Sequence, residues 1–344
     1  MRRLSINIPT YNRCTFLRKN LGIIIDQLRE AHLEEEVAIN ISDNASTDDT
    51  QGVVGKTIEE NKDITIEYFK QEINLGPDLN FIAAMKMARG EYSILFGDDD
   101  FFEPGAIEKI FSLIENNQDV SFFLSNRVSV DQDDNIIAKV PFLREDVGVE
   151  VFDFSKLNDG RAYFSLVCDH GGILTFISSV VYRTDIIEKV GSYDERCTGT
   201  CYSFLYYWWS ALSSGKKIMY VDDFLVRATT LGVTNNNYGS GLKRLLVDTE
   251  GLSTIADVVF KGAQVAFKKD YLAAVRRPIA YRRIATSFFP SNKEERNRLV
   301  QSMSSCDYPS ADIAFVSYIF TFRNGLKICL RHLLPSRFSI FFRM

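Results

Sequence analysis

The sequence has few of the residues that staple or metallate small proteins: six cysteines and three histidines in 344 residues. Cys197 and Cys201 are not spaced as a zinc knuckle, and the other cysteines have no near neighbour. That scarcity excludes a disulfide scaffold and predicts reduced thiols. No long apolar run is present. Stretches such as Gly172–Tyr182 fall short of the roughly 18–20 residues a spanning helix needs. No secretory leader is visible either, because Met1-Arg2-Arg3 runs directly into a short strand-like segment. The expectation is a cytoplasmic protein. There is no basic excess: the net charge is -5, which gives no reason to expect nucleic acid as a partner. Internal repeats and low-complexity tracts are also missing.

What is present is an ordinary globular composition, 46% hydrophobic and 25% charged. The length suggests two domains or one large domain with an appendage. Apolar runs at Leu4–Ile8, Val37–Ile41, Ile64–Phe69 and Tyr92–Phe96 read as strands. Between them, Thr15–Glu30, Thr50–Asn61 and Leu79–Ala88 read as helices. This alternation predicts an α/β fold, Rossmann-like, with a mainly parallel sheet flanked by helices. Helix Gly105–Asn116 and strand Val120–Ser125 follow, then a hairpin turn at Asp131–Asn135. Strand-like runs at Ile173–Tyr182 and Ile218–Val221 bracket an aromatic helix, Cys201–Leu212. From about 240 the pattern turns helical. Over 271–344 it is basic, with twelve Lys and Arg against four Asp and Glu. The expected organisation is a domain at 1–235, made of halves 1–125 and 126–235, and a helical region at 236–344.

In open α/β sheets, ligands bind outside the carboxyl ends of the strands. Three of those ends carry polar clusters here: Pro9–Arg13, Ser42–Asp48 and Gly97–Asp100. Asp98, Asp99 and Asp100 repel one another unless a cation or hydrogen-bond donors compensate. Magnesium or manganese would do so, sharing its shell with a substrate diphosphate; an acidic turn capping the next helix is the plainer alternative. Ser42–Asp48 offers short acceptors for a base or ribose, or a helix cap. Tyr11 can stack a base or serve as a core tyrosine.

Taken together, Ile8-Pro9-Thr10-Tyr11-Asn12-Arg13, Ser42 to Asp48, Asn74-Leu75-Gly76, Ala88 to Tyr92 and Gly97-Asp98-Asp99-Asp100 resemble family 2 glycosyltransferases with the GT-A fold. The subgroup is similar to abequosyltransferases and other O-antigen sugar transferases. The match weakens after about residue 125, persists through Gly191 to Glu195 and Gly215-Lys216-Lys217, and ends near Arg227. The resemblance implies a nucleotide-sugar donor held by Pro9, Thr10, Tyr11, Arg13, Asp43, Asn44, Asn74, Gly76, Asn80 and Asp98. It implies Mn2+ or Mg2+ on Asp98, Asp99 and Asp100. It also implies a role in surface polysaccharide synthesis, a lipid-linked oligosaccharide acceptor and inversion at the anomeric carbon.

Two departures from the family pattern matter. Asn44 stands where the family often has Asp, and a neutral amide makes cytosine permissible, so a CDP-sugar donor is an expectation. The stretch Cys197–Phe204, where the family places a catalytic carboxylate, has no acid. Asp194, Glu195, Asp169 and His170 are the candidates for the acceptor base, the last two ahead of a glycine hinge at Gly171-Gly172. At the far end, Arg323, Lys327 and Arg331 share one helical face, and aromatics alternate with cations over 337–343. That pattern suits peripheral contact with the inner face of the cell membrane, to which Arg276-Arg277 and Arg282-Arg283 would add, or a packed tail or homo-oligomer contact. The alternatives to a transferase are a nucleotidyltransferase, which would want a glycine-rich phosphate loop that Pro9–Arg13 is not, and a non-catalytic carbohydrate-binding or scaffold protein.

Overall fold

The structure is a computed structural model describing residues 2–131, 133–144, 146–229, 241–278 and 293–321. Four strands, β1 (Leu4–Thr10), β2 (Val37–Asp43), β3 (Thr65–Lys70) and β4 (Tyr92–Leu95), alternate with α1 (Cys14–Glu30), α2 (Thr50–Glu60) and α3 (Pro77–Met87). They pair in parallel in the order β3-β2-β1-β4, as the sequence alternation predicts. β5 (Asp100–Phe102), α4 (Ala106–Asn116), β6 (Phe122–Val130), β7 (Ile136–Val140), β8 (Glu150–Asp153) and α5 (Leu157–Leu166) follow. Then come β9 (Val180–Arg183), α6 (Ile186–Val190), α7 (Phe204–Ser213) and β10 (Lys217–Thr229). The sheet continues β4-β9-β6-β10-β5, with β7 beside β6 and β8 beside β10. β9 is antiparallel to both neighbours, while β6 and β10 run parallel.

Both faces of the sheet are covered, so β1 and β2 are buried along their whole length. Leu17, Leu21, Ile24 and Leu28 recur at helical spacing on α1. They pack with Val54 of α2 and Ile107, Ile110 and Phe111 of α4 against Ile6, Ile8, Ile39 and Ile41. The opposite face receives Ile82 and Met85 of α3 and the aromatic set Tyr163, Phe164, Trp208 and Trp209. Among the described residues, the α-helices after β10 are α8 (Gly241–Val259), α9 (Val265–Arg276), α10 (Lys293–Ser305) and α11 (Ser310–Thr321). Leu252 and Ile255 of α8 and Phe267 and Tyr271 of α9 belong to that same second core.

α1 and α2 lie on one face and α3 on the other, so the winding reverses between β1 and β4. That reversal opens the crevice in which ligands of such sheets sit.

Three sequence expectations are corrected. The run Ile173–Tyr182 is a strand only over Val180–Arg183. Before it come two 3-10 turns and Leu174 at φ 67°, a left-handed residue that breaks an extended path. Periodicity does not reveal this, because Thr175, Ser178 and Ser179 interrupt the apolar residues with no clear period of two or of 3.6. Gly171-Gly172 is not a hinge. Both are buried, and a Cβ on Gly171 would lie 2.2 Å from the Phe142 ring, so close packing demands glycine there. Arg276 and Arg277 are not aimed at a membrane or an acceptor diphosphate. Arg276 donates to the Cys306 carbonyl at 2.7 Å, and Arg277 donates to the carbonyls of Phe164 and Val167. Arg282-Arg283 and the 322–344 tail lie outside the described residues.

Candidate active site at the strand ends

The carboxyl ends of β1, β2 and β4 meet at the crevice, and their loops are clamped to one another. Asn12 sits at φ 53°; its backbone N–H donates to Ser46 Oγ at 2.9 Å and its side-chain oxygen accepts from Thr47 N at 2.7 Å. Asp48 caps two helices at once, accepting from Cys14 N of α1 at 2.9 Å and from Thr50 N of α2 at 3.1 Å. These bonds hold Tyr11 at the rim, 43% exposed, with its ring open to stacking. Pro9 is buried in the register of β1, opposite Ser42.

The acidic turn after β4 is fixed from three sides. Asn20 of α1 donates to the carbonyls of Gly97 and Asp100 at 3.1 and 2.6 Å, and Thr229, at the end of β10, donates to the Asp99 carbonyl at 3.2 Å. Within it the three carboxylates divide. Thr10 Oγ1 donates to Asp98 Oδ2 at 2.7 Å, and one Arg13 nitrogen, Nη1, lies 3.1 Å from Asp98 Oδ1 and 2.5 Å from Asp99 Oδ2. Asp100 turns away to accept from Ser178 Oγ at 2.5 Å, and Ser178 in turn accepts from Gly97 N at 2.9 Å. Burial pushes the Asp98 carboxyl up to about 6 against the pull of Arg13. Burial and the neighbouring Asp99 push Asp100 up to about 8. Burial opposes the Arg13 charge, but Asp98 and Asp99 outweigh it and raise its pKa.

The second cluster joins β2 to the start of α3. Asp43 is fully buried, accepting from Ser46 N at 2.8 Å and from the Tyr68 hydroxyl at 2.6 Å. Burial and then Asp43 push that hydroxyl's pKa up, so Tyr68 stays a neutral donor. The Asn44 amide is committed as well. Its nitrogen donates to Asn74 Oδ1 at 3.0 Å and to the Gly76 carbonyl at 3.2 Å, and its oxygen accepts from Leu75 N at 2.8 Å. The expectation that Asn44 reads the base is therefore corrected: both amide hydrogens are spent on fastening the Asn74–Gly76 turn. Gly76 closes that turn at φ 80°, where a side chain is strained. Asn80 is buried beneath, exchanging hydrogen bonds with the Ser42 hydroxyl at 2.7 Å and the Ser42 carbonyl at 3.1 Å.

Among the described residues, no hydrogen bond joins the four candidate bases to the groups of this crevice. His170 Nε2 is 2.8 Å from the Val275 carbonyl, which makes it the protonated nitrogen, and Nδ1 is 3.9 Å from the buried Asp248. Asp169 caps its own turn by accepting from Gly171 N at 2.8 Å. Asp194 is chelated by Arg196, whose hydrogen bonds hold its carboxyl down to about 2. Glu195 is exposed.

Asp78 was not legible as part of the site. This buried carboxylate of α3 accepts from Gly199 N at 2.9 Å, Cys201 N at 3.0 Å and Ser203 N at 3.0 Å. It thereby pins the loop that follows Glu195 to the helix that starts at the Asn44 clip. In sequence Asp78 falls just ahead of the expected helix Leu79–Ala88 and belongs to none of the polar strand-end clusters. Tyr68 and Ser178 were equally silent, because their partners lie 25 and 78 residues away.

Residues 5–182 match the family model described as glycosyl transferase family 2, about half of the chain. The chain belongs to this family. It is 25% identical over 297 residues to the abequosyltransferase RfbV of Salmonella typhimurium, an alignment covering 86% of each chain. Among solved structures it is similar to S. aureus TarS 1–349 in complex with UDP-GlcNAc. The TM-score is 0.67 at 16% identity, covering 98% of this chain and 94% of that one. It is also similar to the mannosyltransferase PcManGT of Pyrobaculum calidifontis in complex with GDP-Man and Mn2+. There the TM-score is 0.55 at 14% identity, covering 94% and 88%. These likenesses establish the GT-A fold and glycosyl transfer as the reaction class. Among the described residues, no helix is long and apolar enough to cross a membrane.

Proposed function

We propose that this family 2 glycosyltransferase takes its sugar from a nucleoside diphosphate donor in the crevice between β1 and β4. A divalent cation assists, and the acceptor is an oligosaccharide hydroxyl in surface polysaccharide assembly. The observation that carries the reading is the Asp98–Asp99 pair, whose oxygens Oδ1 and Oδ2 both lie within 3.1 Å of a single cationic nitrogen. Two carboxylates that share one cation so closely fit magnesium or manganese, which take one or two carboxylates and complete their shell with phosphate. Asp100 does not fit, since its carboxylate is turned to Ser178. When bound, the cation would neutralise charge on the departing diphosphate.

The chain's own residues bind and orient. Tyr11 offers a face to the base, Thr10 holds Asp98 in place, and the Asn44 clip shapes the wall at Asn74–Gly76. Asp43 is fully buried and gives its carboxylate oxygens to Ser46 and Tyr68, so it holds the Ser42–Asp48 loop in shape. The donor screen below, run with UDP-, dTDP- and CDP-sugars, decides the nucleobase. For the acceptor proton, Glu195 is the candidate. Arg196 holds the Asp194 carboxyl down to about 2, which makes it a weak base, Asp169 caps its own turn, and His170 is committed to Val275. The basic, aromatic sequence at 323–343 supports a membrane-bound, lipid-linked acceptor.

The test is a donor screen with Mn2+, read as released nucleoside diphosphate. Release that depends on Mn2+ and falls at least 100-fold in Asp98→Ala and Asp99→Ala is expected. Release that survives both substitutions and chelation would remove the reading. Glu195→Gln is expected to lower transfer by about 100-fold or more while leaving nucleotide affinity unchanged.

A further inference from the structure

The Asp98–Asp99 pair already holds a cation, and it comes from the chain itself. We propose that Arg13 keeps the metal position closed until a nucleoside diphosphate arrives, so that metal binds the wild-type protein only together with nucleotide. The inference rests on the donor reading above.

Arg13 Nη1 bridges Asp98 Oδ1 and Asp99 Oδ2, the two oxygens a divalent ion would have to share. A dication and a guanidinium cannot both occupy that position: their charges repel, and the free oxygens between them are too few. One side of the contact is fixed. Thr10 holds the other oxygen of Asp98, and Asn20 and Thr229 hold the backbone of the turn. The other side can move. Arg13 stands ahead of the first turn of α1, its long side chain is 32% exposed, and among the described residues its side-chain ion pairs are to these two aspartates.

The group that yields to metal is therefore Arg13. Leaving costs it both carboxylates, a loss that a metal ion alone does not repair. A diphosphate at the mouth of the crevice offers the planar guanidinium pairs of phosphate oxygens as bidentate acceptors instead. Metal and nucleotide then bind cooperatively, each strengthening the other by the same factor. Without Arg13 the carboxylates stand open, metal binds alone, and the cooperativity shrinks.

The test is Mn2+ titration of the full chain, following free Mn2+ by electron paramagnetic resonance, with and without UDP, dTDP or CDP. Wild type is expected to bind Mn2+ at least 10-fold more tightly with its preferred nucleotide than without. Arg13→Gln is expected to bind Mn2+ alone at least 10-fold more tightly than wild type, and Asp98→Asn in that background should abolish the gain. Arg13→Lys, which keeps the charge and helix start, should behave between the two. If wild type binds Mn2+ equally well with and without nucleotide, the inference is overturned whatever the variants do. If nucleotide promotes Mn2+ binding but neither substitution releases metal binding on its own, the inference fails and the donor reading stands. If no nucleotide brings Mn2+ to any form, both fall.

Discussion

Individual side chains in this protein take their roles from their partners more than from their chemical type. Asp98 and Asp100 are two residues apart and chemically identical. One faces Thr10 and Arg13 in the crevice, and the other is buried against Ser178 behind it. Asp194 shows the same dependence. Its carboxyl titrates near 2 because Arg196 chelates it, so its folded value lies below the ordinary 3.8. A depressed carboxylate contributes stability above its unfolded pKa and loses it as pH falls through the folded one. The Asp194–Arg196 contribution is therefore complete above about pH 4 and fades as pH falls toward 2. Carbon NMR of the Asp194 carboxyl should give a midpoint near 2, rising toward 3.8 in Arg196→Met. A midpoint that ignores that substitution would show that Arg196 is not the cause.

Between elements, α3 is the member that joins donor side to acceptor side. Its start is clipped to Asn44, and its Asp78 gathers three backbone N–H groups from the Gly199–Ser203 loop. Buried hydrogen bonds to a charged acceptor are each worth about 1.5–3 kcal/mol, and orphaned donors add to the cost of losing them. Asp78→Ala should therefore destabilise the protein by about 3 kcal/mol or more in urea unfolding. Asp78→Asn, which keeps one acceptor, should cost about half as much. A loss below about 1 kcal/mol in both would mean that the loop is held by other contacts. Because Glu195 precedes that loop, Asp78→Asn should also impair sugar transfer more than nucleotide binding.

At the scale of the whole molecule, the described helices α8 and α9 pack into the same core as α5 and α7. Leu252, Ile255, Phe267 and Tyr271 pack with Trp208, Trp209 and Phe164. The buried Asp248 of α8 accepts from the Tyr202 hydroxyl at 2.5 Å and pairs with Arg244 at 2.9 Å. A chain ending at residue 240 would expose this apolar face and remove the partners of His170. It should be insoluble or lack a cooperative thermal transition in circular dichroism. A soluble, cooperatively folding truncation would show that 241–321 forms an independent unit.

The alternating sheet and the three polar strand ends were legible in the linear sequence, because each depends on residues within one element or at its end; the reversal of winding was not, because it depends on which face of the sheet each helix packs against. Period, length and turn chemistry are local quantities, and a buried parallel strand announces itself as an apolar run. The assignment of each carboxylate was not legible. Asp98 meets Arg13 across 85 residues, Asp100 meets Ser178 across 78, and Asp78 meets Ser203 across 125. Glycines at 171 and 172 read as a hinge because a sequence shows only that a side chain is missing, and the Phe142 ring that fills the space lies some thirty residues upstream. Linear order decided which elements form and which ends carry the chemistry. Only tertiary packing decided which of those polar groups face the crevice, since burial and a hydrogen-bond partner are properties of a place in the fold.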